Sequence, residues 1–213
     1  MASSKKMIFL YGAGGHAKVI VDIIEKENRH ELAFIVDDRP GLKGKTLLDY
    51  PIIGGREELF KISKRPLKAV VSIGENQARE IVANWLSDHG FGFASVIHPS
   101  ASIARDVKIG YGTVIMANVA VNACTRIGNH AVINTGASID HDCTIGDYVH
   151  IAPGAVLCGT VRVGRLSLVG AGSVIIPNIR IGENALIGAG TTVHYDLVDG
   201  AKIVGPRAGR VDG

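Results

Sequence analysis

Every sixth residue from Ile97 onward is aliphatic: Ile103, Ile109, Ile115, Val121, Ile127, Ile133, Ile139, Ile145, Ile151, Leu157, Val163, Val169, Ile175, Ile181, Ile187 and Val193, with no insertion. A period of six suits neither an α-helix nor an ordinary strand. It suits a parallel β-helix of triangular section, with one flat side per hexad and three hexads per coil. The residues two before each aliphatic are mostly small or branched, as at Ala101, Thr113, Ala131, Ala137, Cys143, Ala155 and Ser173. Both columns are therefore expected to point inward and stack on copies ~4.8 Å away in adjacent coils. Glycine follows the aliphatic at 110, 128, 146, 164 and 182, an 18-residue sub-period expected to supply positive φ at a corner. No single coil buries its own core, so the coils form one rigid prism. Aromatics make up only 5% of the chain, which leaves the aliphatics to build that core.

The first part of the chain follows a different rule. Met7–Tyr11 is a short apolar run ending in Gly12-Ala13-Gly14-Gly15-His16-Ala17, and Val19, Ile20, Ile23 and Ile24 then recur at helical spacing. Further strand candidates are Leu32–Val36, ending in Asp37-Asp38, and Ala69–Ile73, ending in Gly74; residues 76–89 read as a helix closed by Gly90. Strands alternating with helices imply a small parallel α/β sheet of the mononucleotide-binding kind. The expected organisation is an α/β, half-Rossmann-like domain over 1–94, a β-helix over 95–199, and a C-terminal tail over 200–213 that leaves the hexad rhythm.

Basic residues exceed acidic ones by only 23 to 20, and no Lys/Arg run or aromatic-basic stripe offers a nucleic-acid surface. Cys124, Cys143 and Cys158 cannot all pair and show no CxxC spacing, which favours a reducing cytoplasm. The apolar run after Lys5-Lys6 is too short for a secretion signal, and no stretch is long enough to span a bilayer. The expectation is a soluble cytoplasmic protein with no membrane partner.

Gly12–Ala17 fits G-x-G-x-x-A between a strand and a helix, with an acidic residue, Asp37, about twenty positions on. Glycines there let backbone amides approach a phosphate at a helix N-terminus, so nucleotide binding is expected. NAD chemistry is not, because the domain is half of a dinucleotide fold and lacks a dehydrogenase catalytic set. Among the histidines, His30 and His89 read as surface residues and His98, His130 and His194 as weak candidates. His141 stands apart because Asp140 and Asp142 flank it, and a carboxylate beside an imidazole orients it and stabilises its protonated form. One coil later comes Gly159, whose lack of a side chain leaves an open shelf and whose amide N–H is placed to meet an oxyanion. His150 points outward from the prism, half a coil from His141, and reaches it only through a neighbouring subunit or a bound cofactor. Cys143 and Trp85 read as packing residues.

Taken together, GAGGHA, Val36-Asp37-Asp38, Ser72-Ile73-Gly74 and hexapeptides carrying Asp140-His141-Asp142 resemble the bacterial nucleotide-linked amino-sugar N-acetyltransferases. These belong to the hexapeptide-repeat group that includes sialic acid O-acetyltransferases. Within it the details look most like enzymes acting on GDP-perosamine. The resemblance implies a left-handed β-helix, whereas the general crossover rule would favour the right hand. It also implies a homotrimer, acetyl-CoA as cosubstrate and no metal. It makes His141 the general base with Asp142 as its partner, and sets His150, Gly159, Ala171 and Ala189 along acetyl-CoA. Gly14, Gly15, His16, Asp37, Asp38 and Gly74 fall on the nucleotide-sugar site. Ala17 replaces a glycine common in the family, a mild departure. The implied role is acetylation of the C4 amine of a nucleotide-linked 4-amino-4,6-dideoxy sugar, with a UDP-sugar as second choice, in surface polysaccharide or glycan biosynthesis. The alternatives are O-acetylation of a sialic acid or other sugar, a nucleotide-binding scaffold trimer, and a β-helical metal hydratase, for which the histidine spacings do not supply three converging ligands.

Overall fold

The computed structural model describes residues 5–62 and 67–205. Strand β1 (Lys6–Tyr11) lies at the centre of a parallel sheet with β2 (His30–Val36) on one side. Short strands β3 (Thr46–Leu47) and β4 (Tyr50–Pro51) form a hairpin beside it. On the other side of β1 lie β5 (Lys68–Val71) and β6 (Gly92–Phe93). Helix α1 (Gly15–Glu27) follows β1 and buries Ala17, Ile20, Val21, Ile23 and Ile24; of the apolar face read from the sequence Ile20, Ile23 and Ile24 are inside, while Val19 is exposed and Val21 takes its place. Helix α2 (Asn76–Asp88) likewise buries Val82, Ala83 and Leu86.

From Val96 the chain winds into a prism of two-residue strands in three parallel sheets. The first runs from Val96–Ile97 to Lys202–Ile203, the second from Ser102–Ile103 to Thr192–Val193, and the third from Lys108–Ile109 to Arg180–Ile181. Up to Val193, successive strands of each sheet pair at a spacing of 18 residues, so Ile115 sits over Ile133 and Ile133 over Ile151. From Ile115 to Val193 both inward columns are buried as the hexad pattern requires, while Ile97, Ala101, Ile103, Val107 and Ile109 at the open first coil are partly buried. At four of the polar small inward residues the hydroxyl donates to a carbonyl fifteen residues on: Thr113 to Gly128 (2.8 Å), Thr125 to Asp140 (2.9 Å), Ser167 to Gly182 (2.7 Å) and Ser173 to Gly188 (2.8 Å); among the described residues the buried Thr191 hydroxyl in the last full coil has no such partner. A buried hydroxyl is thereby satisfied without interrupting the column.

The expectation for the periodic glycines needs correcting. Gly110, Gly128, Gly146, Gly164 and Gly182 do not have positive φ; that conformation is taken by other glycines and by Asp106, Asn118, Asp142, Thr160 and Asn178, among others. The periodic glycines are required by proximity instead. A Cβ on Gly164 would stand 2.5 Å from the Gly182 carbonyl carbon. At the C-terminal end, Lys202–Ile203 pairs with Leu186–Ile187 and adds a strand to the first sheet, so residues 200–205 extend the prism. The rest of the expected tail, 206–213, lies outside the described residues.

The α/β domain docks on the first sheet, where Val96, Val114, Met116 and Val132 join Ile8, Ile20 and Val70 in one core cluster. Arg79 of α2 pins this junction. Only 1% exposed, it donates from Nε to the His130 carbonyl (2.9 Å), from Nη2 to the Tyr148 carbonyl (2.7 Å) and to Asn76 Oδ1 (2.8 Å), and from Nη1 to the carbonyls of Ile73 (3.1 Å) and Gly74 (3.0 Å). Asn76 Nδ2 adds bonds to the carbonyls of Leu166 (2.9 Å) and Ser167 (3.1 Å).

Candidate active site

The turn from β1 into α1 opens a cleft of about 620 Å³ lined by Gly14, Gly15, His16, Asp37, Arg39 and Gly74, among others. Gly12, at φ 113°, lets the strand turn close to Ser72. Gly14 caps α1 without a side-chain hydrogen bond, so the first amides of the helix keep their anion-binding capacity. Asp37 accepts from the Ala13 amide (2.7 Å) and, through both oxygens, from the backbone and guanidinium of Arg39 (2.9 Å each). Asp38 accepts from Tyr11 (2.5 Å) and from the Arg56 amide (2.9 Å) and guanidinium (2.6 and 3.1 Å). Burial pushes both carboxyls upward, but the arginine bonds outweigh it and hold both below the usual carboxylate range. Each aspartate thus fixes an arginine, and Arg39 is itself part of the cleft wall.

A groove of about 340 Å³ shares Gly74 with this cleft and continues along the first sheet past His150, Leu168, Leu186 and Lys202. His150 does not point into open solvent, as its outward position implied. Its ring bonds the Gly74 backbone, Asn134 Nδ2 lies 3.1 Å from its Nε2, and the His16 ring is 6.5 Å away. Burial, aided by Arg79, lowers His150 to about 4; burial, with His150 and Arg79, does the same to His16. Both rings are neutral at pH 7. The buried Nε2 of His16 has no hydrogen-bond partner.

His141, Asp142 and Gly159 lie elsewhere, on the corner between the second and third sheets. Asp142 adopts φ 58°, and its Oδ2 is 2.8 Å from His141 Nδ1. Asp140 Oδ1 accepts from the His141 amide (2.8 Å) and from Asn122 Nδ2 (2.8 Å). The Asp142 bond, then the charge of Asp140, raises the His141 pKa above its ordinary value. The imidazole lies directly on Gly159: a Cβ there would be 2.8 Å from Nε2. The Gly159 N–H makes no backbone hydrogen bond among the described residues. Ala171 and Ala189, one coil apart, are exposed on the third location, the corner between the first and second sheets. One chain therefore gathers Gly14, Gly15, His16, Asp37, Asp38, Gly74 and His150, and holds His141, Asp142 and Gly159 on another edge.

Two smaller expectations change and one holds. His30 is buried against Glu27 (2.5 Å). His130 is buried between Phe93, Tyr111 and Tyr148, and burial lowers it to about 4. Trp85 is a packing residue as expected: partly buried against the α/β core, it stacks on His89 with Arg56 over its ring. Arg79 was missed, although its spacing to Val82, Ala83 and Leu86 puts it on the buried face of α2. Among the described residues no His, Cys, Asp or Glu group is arranged to hold a metal, and no helix is long and apolar enough to cross a membrane.

Residues 7–86 match the PglD N-terminal domain, and 124–159 and 160–194 match the bacterial transferase hexapeptide model of six repeats. The H141N mutant of perosamine N-acetyltransferase from Caulobacter crescentus, solved with CoA and GDP-perosamine, is 35% identical, covers 95% of both chains and superposes with a TM-score of 0.88. The acetyltransferase domain of PglB from Neisseria gonorrhoeae is 30% identical over 94% of this chain and 97% of its own, with a TM-score of 0.86. WeeI from Acinetobacter baumannii is 28% identical over 94% and 97%, with a TM-score of 0.83. The prism and its α/β domain thus define a left-handed β-helix acyltransferase of the hexapeptide-repeat class. Within that class, the chain belongs to the CoA-dependent sugar N-acetyltransferases.

Proposed function

We infer that this enzyme acetylates the C4 amine of a nucleotide-linked 4-amino-4,6-dideoxy sugar, GDP-perosamine before a UDP-sugar, with acetyl-CoA as donor and His141 as general base. The observation that carries the reading is the His141–Asp142 hydrogen bond held over the bare Gly159. Asp142 on Nδ1 leaves Nε2 to take the proton of the attacking amine. The amine nitrogen bonds to the acetyl carbon, the C–S bond breaks, and CoA leaves as the thiol after taking up a proton. The Gly159 N–H donates to the oxyanion developing on the thioester carbonyl. The α1 N-terminus with Gly14, Gly15 and His16 receives the diphosphate, while Asp37, Asp38 and Gly74 border the nucleoside. His150, Ala171 and Ala189 line the path of acetyl-CoA.

A complete site then needs two copies. The outward column of the second sheet, Ser102, Ala120, Ser138, Val156, Val174 and Thr192, is uncharged, and it lies between the His141 corner and the Ala171–Ala189 corner. Three copies packed through that sheet about a threefold axis set the first corner of one against the second corner of the next. This supports a homotrimer, and the unpaired Cys124, Cys143 and Cys158 support a cytoplasmic setting.

The test is thiol release from acetyl-CoA with GDP- and UDP-linked 4-amino-4,6-dideoxy sugars and a sialic acid control. Turnover with one amino-sugar nucleotide is expected; reaction of the hydroxyl acceptor alone overturns the amine assignment. His141→Asn is expected to lower kcat about 10²–10⁴-fold with the fold retained. In the unaltered enzyme, kcat/KM should rise with pH through a midpoint above 6.5, and Asp142→Asn should move that midpoint down. Near-normal turnover of His141→Asn removes the base assignment.

A further inference from the structure

The three outer faces of the prism carry different chemistry. Strand residues facing out are mostly aliphatic on the first sheet and small and uncharged on the second. On the third they are Lys108, Arg126, Thr144, Arg162 and Arg180. Register sets Lys108 beside Arg126, and Arg162 beside Arg180, each pair one coil apart. Like charges directly opposite in a sheet repel. Among the described residues none of these four cations forms a side-chain ion pair.

The upper end of this column borders a cavity of about 420 Å³ lined by Thr160, Arg162, Asn178, Ile179, Arg180 and Asp196. Its one carboxylate, Asp196, accepts from the Arg180 backbone amide through Oδ1 (2.8 Å) and, among the described residues, forms no ion pair with either guanidinium, so the cavity keeps an excess of positive charge. The cavity adjoins the His141 corner: Thr160 Oγ1 is 2.6 Å from the Gly159 carbonyl and 2.6 Å from Asn178 Oδ1. Two unpaired guanidinium forks one coil apart, with neutral amide and hydroxyl groups beside them, suit phosphate oxygens, which they bind bidentately.

We propose that Arg162 and Arg180 form a subsite for the phosphate groups of acetyl-CoA, on the third-sheet side of the corner where the thioester reacts. The subsite rests on the assignment of acetyl transfer to His141 and Gly159. The nucleotide sugar's own phosphates are received at α1, on the first-sheet side, so the two phosphate-bearing substrates approach on separate faces. Repulsion between Arg162 and Arg180 is relieved when CoA binds.

Calorimetric titration of CoA tests this with the full-length protein and its Arg162→Ala/Arg180→Ala variant. The variant is expected to bind CoA at least tenfold more weakly, as loss of charge-assisted hydrogen bonds implies. Its Kd should also depend less steeply on salt, because screening acts on the contacts removed. Both arginines are exposed and repel each other, so the variant should unfold at an equal or higher temperature than the parent. Lys108→Ala, at the far end of the column, should leave the Kd for CoA unchanged. An unchanged Kd in the double variant overturns the subsite, and so does a loss of equal size at low and high salt. If the parent binds CoA through these arginines but His141→Asn still turns over, it is the base assignment that fails and not the subsite.

Discussion

A Cβ built on Gly110, Gly164 or Gly182 stands 2.5 Å from backbone of the neighbouring coil, whereas one built on Gly14, Gly15 or Gly74 meets nothing within 4 Å. At these prism positions glycine is needed because main chain presses on main chain. At the three α/β positions no neighbour excludes a side chain, and the proposed function gives that space to the nucleotide sugar. One residue type is thus confined by packing in one region and left open in the other, and the two regions meet through a buried arginine and three histidines whose pKa values burial lowers.

Acid should separate the two regions with the largest effect. Burial holds His16, His130 and His150 near 4 in the folded protein, against an ordinary 6.5. The unfolded or undocked chain therefore binds more protons below 6.5, and stability present above that pH is lost as pH falls towards 4. Each unit is worth about 1.4 kcal/mol per histidine. Far-ultraviolet and tryptophan signals followed from pH 7 to 4 should show the α/β domain, with Trp85, loosening while the prism persists. A single coincident transition would mean the two regions share one cooperative unit.

Next in size is Arg79→Met, which strands carbonyls on both sides of the junction and is expected to cost about 3–5 kcal/mol in urea unfolding. A loss below 1 kcal/mol would show that the apolar contacts around Val114 and Val132 suffice to join the regions. Gly164→Ala should cost about 1–3 kcal/mol by overpacking the coils. Gly15→Ala sharpens the contrast: stability within about 0.5 kcal/mol of the parent, with weakened binding of the nucleotide sugar in the same titration. Should Gly15→Ala unfold the domain instead, its glycine belongs with those of the prism.

The prism was legible because its rule is local and repeats: Ile97 and Val193 obey the same instruction. The GAGGHA turn was legible for a related reason, since strand, loop and helix are contiguous and the chemistry of a helix start is general. The junction was not. His150 sits on an outward position, and only the docking of Gly74 and His16 above it makes it buried and neutral. His130 is covered by Phe93 from the other domain in the same way. Arg79 betrayed itself only as a charge on the apolar face of α2, and its five partners come from three separated stretches of chain. The role expected of the periodic glycines was wrong because spacing shows where a side chain is excluded without showing whether torsion or proximity excludes it.

The 18-residue register gives the prism something like a reading frame. Removal of a single residue would turn every later inward side chain to the outside until the next compensating change, while removal of eighteen would shorten the protein by one coil and leave the rest in phase. The chain leaves this frame after Val193: Leu197 pairs with Ile181, and Ile203 with Ile187, sixteen residues back instead of eighteen. His141, Gly159 and the two cationic positions beside them all lie inside the frame. Any gain or loss of chain between them must come in whole coils, so the distance between the reacting corner and whatever binds along it is quantised by the fold.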